Sequence, residues 1–420
     1  MSSIQHDNRW FFLIDCNQFF VSCEQVFNPK LKNKPVVVLS GHDGCIVARS
    51  REAKKLGIPM GAPAFQWKNT FEQHRVAVLP ANHTLYGDLS ARVMQCLWEE
   101  CPELEVYSID EAFLELTESD PCFLARKLKE KIAKWTGIGV SIGIAKTKTL
   151  AKLCSEVAKN HPEGIFWLPS CTDDFLKKFK PEEIWGIGKK TAEKLFKLGI
   201  HSVLNLKNCT LQWLECHFHA PLLKTFRELN EISCIDTEET PSTRSSILRS
   251  RSFGNTVDSI VDCKEALSCH IASAAETLRE EQLLAGRIEI FLMTSRFIKE
   301  PIYIQKAISL SSPTQSTFEL IEKAGVLLKE IFQKEMRVKK VGVILTDLCQ
   351  EAGSQLDLFT PKKQTKQREK ACAVLDQINK AFGKNSLFIG SQGTQRKWQQ
   401  ENHSSPRYTT HWDEILKIQI

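Results

Sequence analysis

The 420-residue chain lacks the marks of several protein classes. No apolar run approaches the roughly 18 residues of a membrane-spanning helix, and Met1 to Arg9 is too polar for the core of a secretory leader. No glycine-rich loop ends in Gly-Lys-Ser/Thr, so the triphosphatase chemistry built on that loop is not expected. No segment repeats, which sets aside solenoids and propellers. The 15 cysteines are odd in number, follow no regular spacing and include no CxxC pair. Such usage excludes a disulfide framework and reads as reduced thiols of a cytoplasmic protein. The tightest Cys/His group is Cys209, Cys216, His217 and His219. Adjacent and alternating positions point to different sides of most backbones, so this is a poor set for zinc. Net charge is scarce too: +6 overall is weak evidence for any partner.

What is present is an ordinary globular composition, 42% hydrophobic and 25% charged. The length predicts two or more domains, because single cores rarely grow past about 250–300 residues. Charge is unevenly spread: Phe123 to Leu198 holds 16 Lys/Arg against 8 Asp/Glu. That stretch can neutralise phosphates; a set of solvated helix faces explains it equally well.

Trp10–Ile14 and Pro35–Leu39 read as buried strands. Ser50–Leu56, Phe123–Trp135 and Thr149–Lys159 read as helices, each followed by glycine or proline. Two apolar runs around Asp110-Glu111 predict a β-hairpin with acids at its turn. Pro181–Leu206 reads as short helices joined by glycines, and Asp236–Ser246 as a polar linker. Strands and helices resume over 247–348; a Lys/Gln-rich segment from Pro361 then leads into a polar tail. Periodicity alone predicts only an α+β protein of several domains.

Asp15 closes the first strand, and Asp110 and Glu111 sit on another. Neighbouring strands would bring three carboxylates together, a repulsive arrangement unless cations lie between them. Two Mg²⁺ ions there would lower the pKa of an attacking hydroxyl and steady a triphosphate. That is the residue chemistry phosphoryl transfer needs. On spacing alone, a set of exposed turn acids accounts for them as readily.

The surrounding words decide more. Residues 15–24 read DCNQFFVSCE, 107–113 YSIDEAF, 141–148 SIGIAKTK and 158–164 AKNHPEG. In this order and spacing they strongly resemble the Y family of translesion DNA polymerases. The resemblance implies a right-hand architecture, multidomain α/β and α+β. It places a palm at 1–19 and 82–170, fingers at 20–81, a helical thumb at 171–238, a linker at 239–248, a little finger at 249–351 and a C-terminal tail at 352–420. It implies that Asp15, Asp110, Glu111 and the Cys16 carbonyl hold two Mg²⁺ ions. By the same match, Phe20 is the steric gate against ribonucleotides, and Phe19, Arg51, Lys54 and Lys159 join it around the nucleotide. Many family members have a tyrosine where Arg51 stands; the UmuC branch also lacks it. Gly186, Gly188, Lys189 and Lys190 resemble half of a helix-hairpin-helix element, whose backbone N–H groups grip a duplex phosphate.

Gln355, Leu356, Leu358 and Phe359 resemble the peptide by which bacterial polymerases bind the sliding clamp. The tail beyond them resembles that of the UmuC branch, which implies error-prone synthesis in the SOS response. Implied partners are primer-template DNA, deoxynucleotides, a processed UmuD dimer, the RecA filament and the clamp, with no membrane. A stand-alone enzyme of the polymerase IV type, or a catalytically silent DNA-binding subunit, are the alternatives; the intact carboxylates argue against the second.

Overall fold

A computed structural model describes residues 9–41, 44–117, 120–169, 171–235, 244–351, 362–396, 398–399 and 404–417. The chain forms two units: residues 1–241 with 402–420, and residues 242–401.

The first unit runs β1 (Arg9–Cys16), α1 (Phe19–Phe27), β2 (Val36–Leu39), β3 (Ile46–Arg49), α2 (Arg51–Lys55), α3 (Lys68–Gln73), β4 (Ala77–Pro80), α4 (His83–Trp98), β5 (Leu104–Val106), β6 (Glu111–Thr117), α5 (Pro121–Thr136), β7 (Val140–Ala145), α6 (Lys148–Ala158) and β8 (Ile165–Trp167). Short helices follow: α7 (Thr172–Leu176), α8 (Lys189–Lys197), α9 (Val203–Lys207), α10 (Leu211–His217) and α11 (Ala220–Leu229).

Five strands form the main sheet in the order β5-β6-β1-β7-β8. The unbroken apolar run of β1 is explained by its central place, with both faces covered. Phe12, Ile14 and Cys16 join a core with α4 and α5, while Phe11 and Leu13 join another with α6 and the short helices. Gly143 on β7 fixes how close α6 lies. A Cβ there would stand 2.2 Å from the Ala151 carbonyl oxygen and from the Ser155 nitrogen. A smaller sheet, β3-β2-β4, has its own core around Val37, Leu39, Ile46 and Phe71. The predicted helix at Phe123–Trp135 is α5, capped by the Asp120 side chain and ended by Gly137 at φ 73°.

The second unit holds β9 (Ile247–Val257), α12 (Ile260–Glu280), β10 (Leu283–Thr294), β11 (Tyr303–Thr314), α13 (Thr317–Ile331), β12 (Val338–Gln350) and α14 (Lys362–Phe382). Its antiparallel sheet has the order β11-β10-β12-β9. Ile288, Ile290, Val341 and Val343 pack with Leu267, Ile271 and Leu278 of α12 in one core.

Helix α14 departs from the sequence reading of a polar stretch entering a tail. Its Lys, Gln and Glu are good helix formers, but it presents too few apolar residues for a core-facing stripe. What ties it down is tertiary: Arg279 of α12 grips the Asp376 carboxylate through two nitrogens, at 2.5 and 2.8 Å. Among the described residues, no helix is long and apolar enough to cross a membrane.

Candidate active site

The end of β1 gathers the acids. Antiparallel pairing sets Asp15 opposite Glu111 on β6 and opposite Ser141 on β7. The Cys16 N–H donates to the Asp110 carbonyl at 2.8 Å, and the Asn17 N–H to the Gly139 carbonyl at 2.9 Å. The chain then turns through Gln18, at φ 49°, into α1. The hairpin acids are held locally. Ser108 Oγ accepts from the backbone N–H groups of Asp110 and Glu111, and its hydroxyl donates to Asp110 Oδ1 at 2.7 Å. The serine in this short word therefore builds the turn that presents the pair.

Asp15 is 7% exposed. Burial pushes its carboxyl up to about 7; the Lys159 ammonium opposes that rise, while Glu111 and Glu156 add to it. Lys159 Nζ lies 2.8 Å from Asp15 Oδ2, and Lys152 Nζ lies 2.8 Å from both oxygens of Glu111. The crowded anions are thus neutralised by ammonium groups. With the side chains so engaged, no three His, Cys, Asp or Glu among the described residues stand at metal-holding spacing. The donor set is nevertheless one that suits a hard divalent cation: carboxylate oxygens on adjoining strands, one of them buried where its charge needs a counter-ion.

A cleft of about 640 Å³ opens beside these acids. Asp15, Cys16, Phe19, Phe20, Asp110 and Lys159 line it, with Arg51 and Lys54 of α2 also on its wall. Phe20 stacks on Tyr86 with ring centroids 4.4 Å apart at 16°, and meets His83 edge-on at 5.8 Å. Phe19 is buried beside it. Arg51 is tied in twice, by its N–H to the Gln18 side chain at 2.7 Å and by its guanidinium to the Lys159 carbonyl at 3.3 Å. An arginine at this position therefore bridges the two walls of the cleft.

Most of the expected nucleotide and metal residues converge here, with Glu111 joined through strand pairing. Gly186, Gly188, Lys189 and Lys190 stand apart, in the helical cluster. Gly186 has φ 86°, Gly188 precedes the first turn of α8, and both lysines are exposed. Gln355, Leu356, Leu358 and Phe359 lie outside the described residues. Two residues escaped the sequence reading. Lys152 sits seven positions before Lys159, two helical turns along α6, a spacing that could have flagged it. Its ammonium also lies 4.6 Å from the Tyr107 ring centre. Tyr86, 66 positions after Phe20, carried no local signal.

Comparison with known proteins gives the family. The chain matches the impB/mucB/samB family over residues 14–156, that family's C-terminal domain over 244–358, and a domain of unknown function, DUF4113, over 369–418. It is 37% identical to UmuC of Salmonella typhimurium, covering 97% of this chain and 100% of that protein. It is 37% identical to ImpB of Salmonella typhimurium, over 96% of this chain and 98% of ImpB. A DNA polymerase IV of Dehalococcoides mccartyi is 31% identical over 90% of this chain and 96% of its own. Among solved structures, a Y-family DNA polymerase chimera of Dbh and Dpo4 shares the fold with a TM-score of 0.66 at 24% identity, covering 81% of this chain and 99% of that one. An insertion ternary complex of Dbh DNA polymerase aligns with a TM-score of 0.51 at 24% identity, over 81% of this chain and 99% of its own.

Sequence similarity along nearly the whole chain defines the class, the DNA polymerases related to UmuC and polymerase IV, and the fold is that of the Y-family DNA polymerases. Within it the chain belongs to the impB/mucB/samB family, and it is a DNA-directed DNA polymerase of the translesion type. Polymerases of this family depend on a divalent cation.

Proposed function

We propose that this polymerase extends primers past damaged template bases in the SOS response, with Asp15, Asp110, Glu111 and the Cys16 carbonyl holding two Mg²⁺ ions. The observation that carries the assignment is the pairing of buried Asp15 with Glu111, beside Asp110 at the mouth of a nucleotide-sized cleft. The ions, when bound, supply an activated primer hydroxyl and charge neutralisation at the triphosphate.

The chain's own residues do the rest. Lys152 and Lys159 balance the charge of the carboxylates between turnovers. Arg51, Lys54 and Lys159 line the wall against which a triphosphate would lie, with Phe19 beside them. The Phe20 ring, backed by Tyr86, leaves no room for a 2′-hydroxyl. Gly186, Gly188, Lys189 and Lys190 grip the duplex backbone without reading sequence. Residues 1–19 and 82–170 serve as palm, 20–81 as fingers, 171–238 as thumb and 249–351 as little finger, after a linker at 239–248, with a tail at 352–420.

The 37% identity to UmuC along 97% of the chain, against 31% to a polymerase IV along 90%, favours the UmuC branch over the polymerase IV type. On this reading the enzyme acts with a processed UmuD dimer and the RecA filament and is recruited to the clamp through Gln355, Leu356, Leu358 and Phe359, all in the cytoplasm. Primer extension opposite an abasic template site, with Mg²⁺ and with and without those partners, tests the reading. Insertion past the lesion is expected; extension of undamaged template alone would exclude the bypass role, and no extension at all would point to a silent subunit.

A further inference from the structure

The last part of the domain of unknown function returns to the catalytic unit. Residues 404–417 belong to it, and Ser405, Pro406 and Tyr408 seat against α1 and α4. The Asn82 amide Nδ2 donates to the Ser405 carbonyl at 2.8 Å, to Ser405 Oγ at 3.0 Å and to the Pro406 carbonyl at 3.2 Å. The same Asn82 caps α4, its Oδ1 accepting from the Leu85 N–H at 3.2 Å. Its two ends therefore couple the segment to the first turn of α4, where His83 and Tyr86 stand.

A second grip reaches α1. Ser405 Oγ donates to Glu24 Oε1 at 2.8 Å, and the Tyr86 hydroxyl donates to the same oxygen at 2.8 Å. Glu24 is 2% exposed, so its carboxylate depends on those two donors in place of water. Tyr408 stacks on Phe27, the last residue of α1, with ring centroids 4.7 Å apart at 9°. An internal clasp shapes the segment: the Arg407 guanidinium binds Glu414 at 2.5 Å.

From these contacts we infer that residues 404–417 form a strap that sets nucleotide choice by holding Tyr86, and through it the stacked ring of Phe20. Three links connect tail to gate: Ser405 to Glu24, Glu24 to Tyr86, and Tyr86 face to face with Phe20. Ser405 and Tyr408 are positioning residues, since neither lines the nucleotide cleft. The inference rests on the proposed reading of Phe20 as the ribonucleotide gate.

The test uses the full chain in whatever assembly the wild type is active, with Ser405→Ala, Tyr408→Ala, Ser405→Thr and Phe20→Leu compared. Ser405→Ala should raise KM for the incoming deoxynucleotide and weaken discrimination against ribonucleotides by about fivefold, the worth of one net hydrogen bond, and Tyr408→Ala, which loses the stack on Phe27, should move both in the same direction. The rate constant kcat on deoxynucleotides should hold. Ser405→Thr, which keeps the hydroxyl, should restore both values. If Phe20→Leu admits ribonucleotides while both strap variants discriminate like wild type, the strap is an anchor only and the inference falls. A uniform loss of kcat and melting temperature, not rescued by Ser405→Thr, overturns it in the same way. If Phe20→Leu itself leaves discrimination intact, the gate reading has failed.

Discussion

The two large sheets of this polymerase follow opposite plans. In the first unit the strands are short, and β1 carries six consecutive buried residues because helices cover both faces. In the second unit the strands run to 11–13 residues in β9 and β12, and α12 and α13 pack against one face. Toward the other face β9 and β10 present Ser252 and Arg287, and β11 presents Tyr303 and Gln305, all exposed. The lesson concerns tolerance. A sheet clamped on both sides holds its side chains in place, as chemistry at a fixed geometry requires. A sheet with one open face offers length instead, suited to lying along an extended, repetitive partner.

The strongest way to sharpen that contrast is to remove the palm acids. Asp110→Ala with Glu111→Ala should cut primer extension by about a thousandfold or more, since charge stabilisation dominates this chemistry. Primer-template binding, read by fluorescence anisotropy, should survive, because the acids act after the primer is bound. Wild-type extension by the double variant would break the assignment.

Rigidity itself can be probed with glycines. Gly143→Val drives a side chain into the α6 backbone, and unfolding monitored by denaturant should show a loss of about 3 kcal/mol or more. Gly342→Ala in the open sheet meets the Phe291 ring at 2.4 Å and Ser250 Cβ at 2.6 Å. The nearest atoms there belong to side chains and not to a helix backbone, so its cost should be smaller, about 2 kcal/mol. Equal costs would erase the distinction between the sheets.

Duplex grip by the helical cluster should be graded. Lys189→Ala with Lys190→Ala should weaken binding at every sequence tested. The slope of log K against log salt should become shallower by about 0.9 for each phosphate that is no longer neutralised. Weakening confined to certain sequences would indicate base readout instead.

A further test separates the units by pH. Burial, with Arg251 and Lys340 nearby, pushes His270 of α12 down to about 4 from its ordinary 6.5. Between those values the unfolded chain binds the proton that the folded unit refuses. Stability of the second unit should therefore fall as pH drops from about 6.5 to about 4, and be unaffected by this group above that range. His270→Asn should flatten that slope in thermal melts. An unchanged slope would mean that other groups govern acid sensitivity there.

Much of the site was legible because its parts are short words. Asp15, Cys16, Phe19 and Phe20 span one strand end and one helix start, and Ser108, Asp110 and Glu111 lie in a single turn. Local hydrogen bonds and a continuous apolar strand write such features directly into neighbouring residues. Helix α14 was not legible because its stability comes from Arg279 on α12, 97 positions from Asp376. Tyr86 and Asn82 were silent because their partners are brought to them only by packing, whereas Lys152 left only its two-turn spacing from Lys159.

By itself, then, the sequence determined the buried strands β1 and β2, the extents of α5 and α6 to within a residue or two, and the family. Strand register, which sets Asp15 against Glu111, and the close approach of α6 over Gly143, which delivers Lys152 and Lys159, were decided by the tertiary structure. So was the return of Ser405 to Glu24 across 381 positions. The physical reason is range: backbone preference and apolar periodicity act over a few residues, whereas burial pairs whichever polar groups the fold leaves without water.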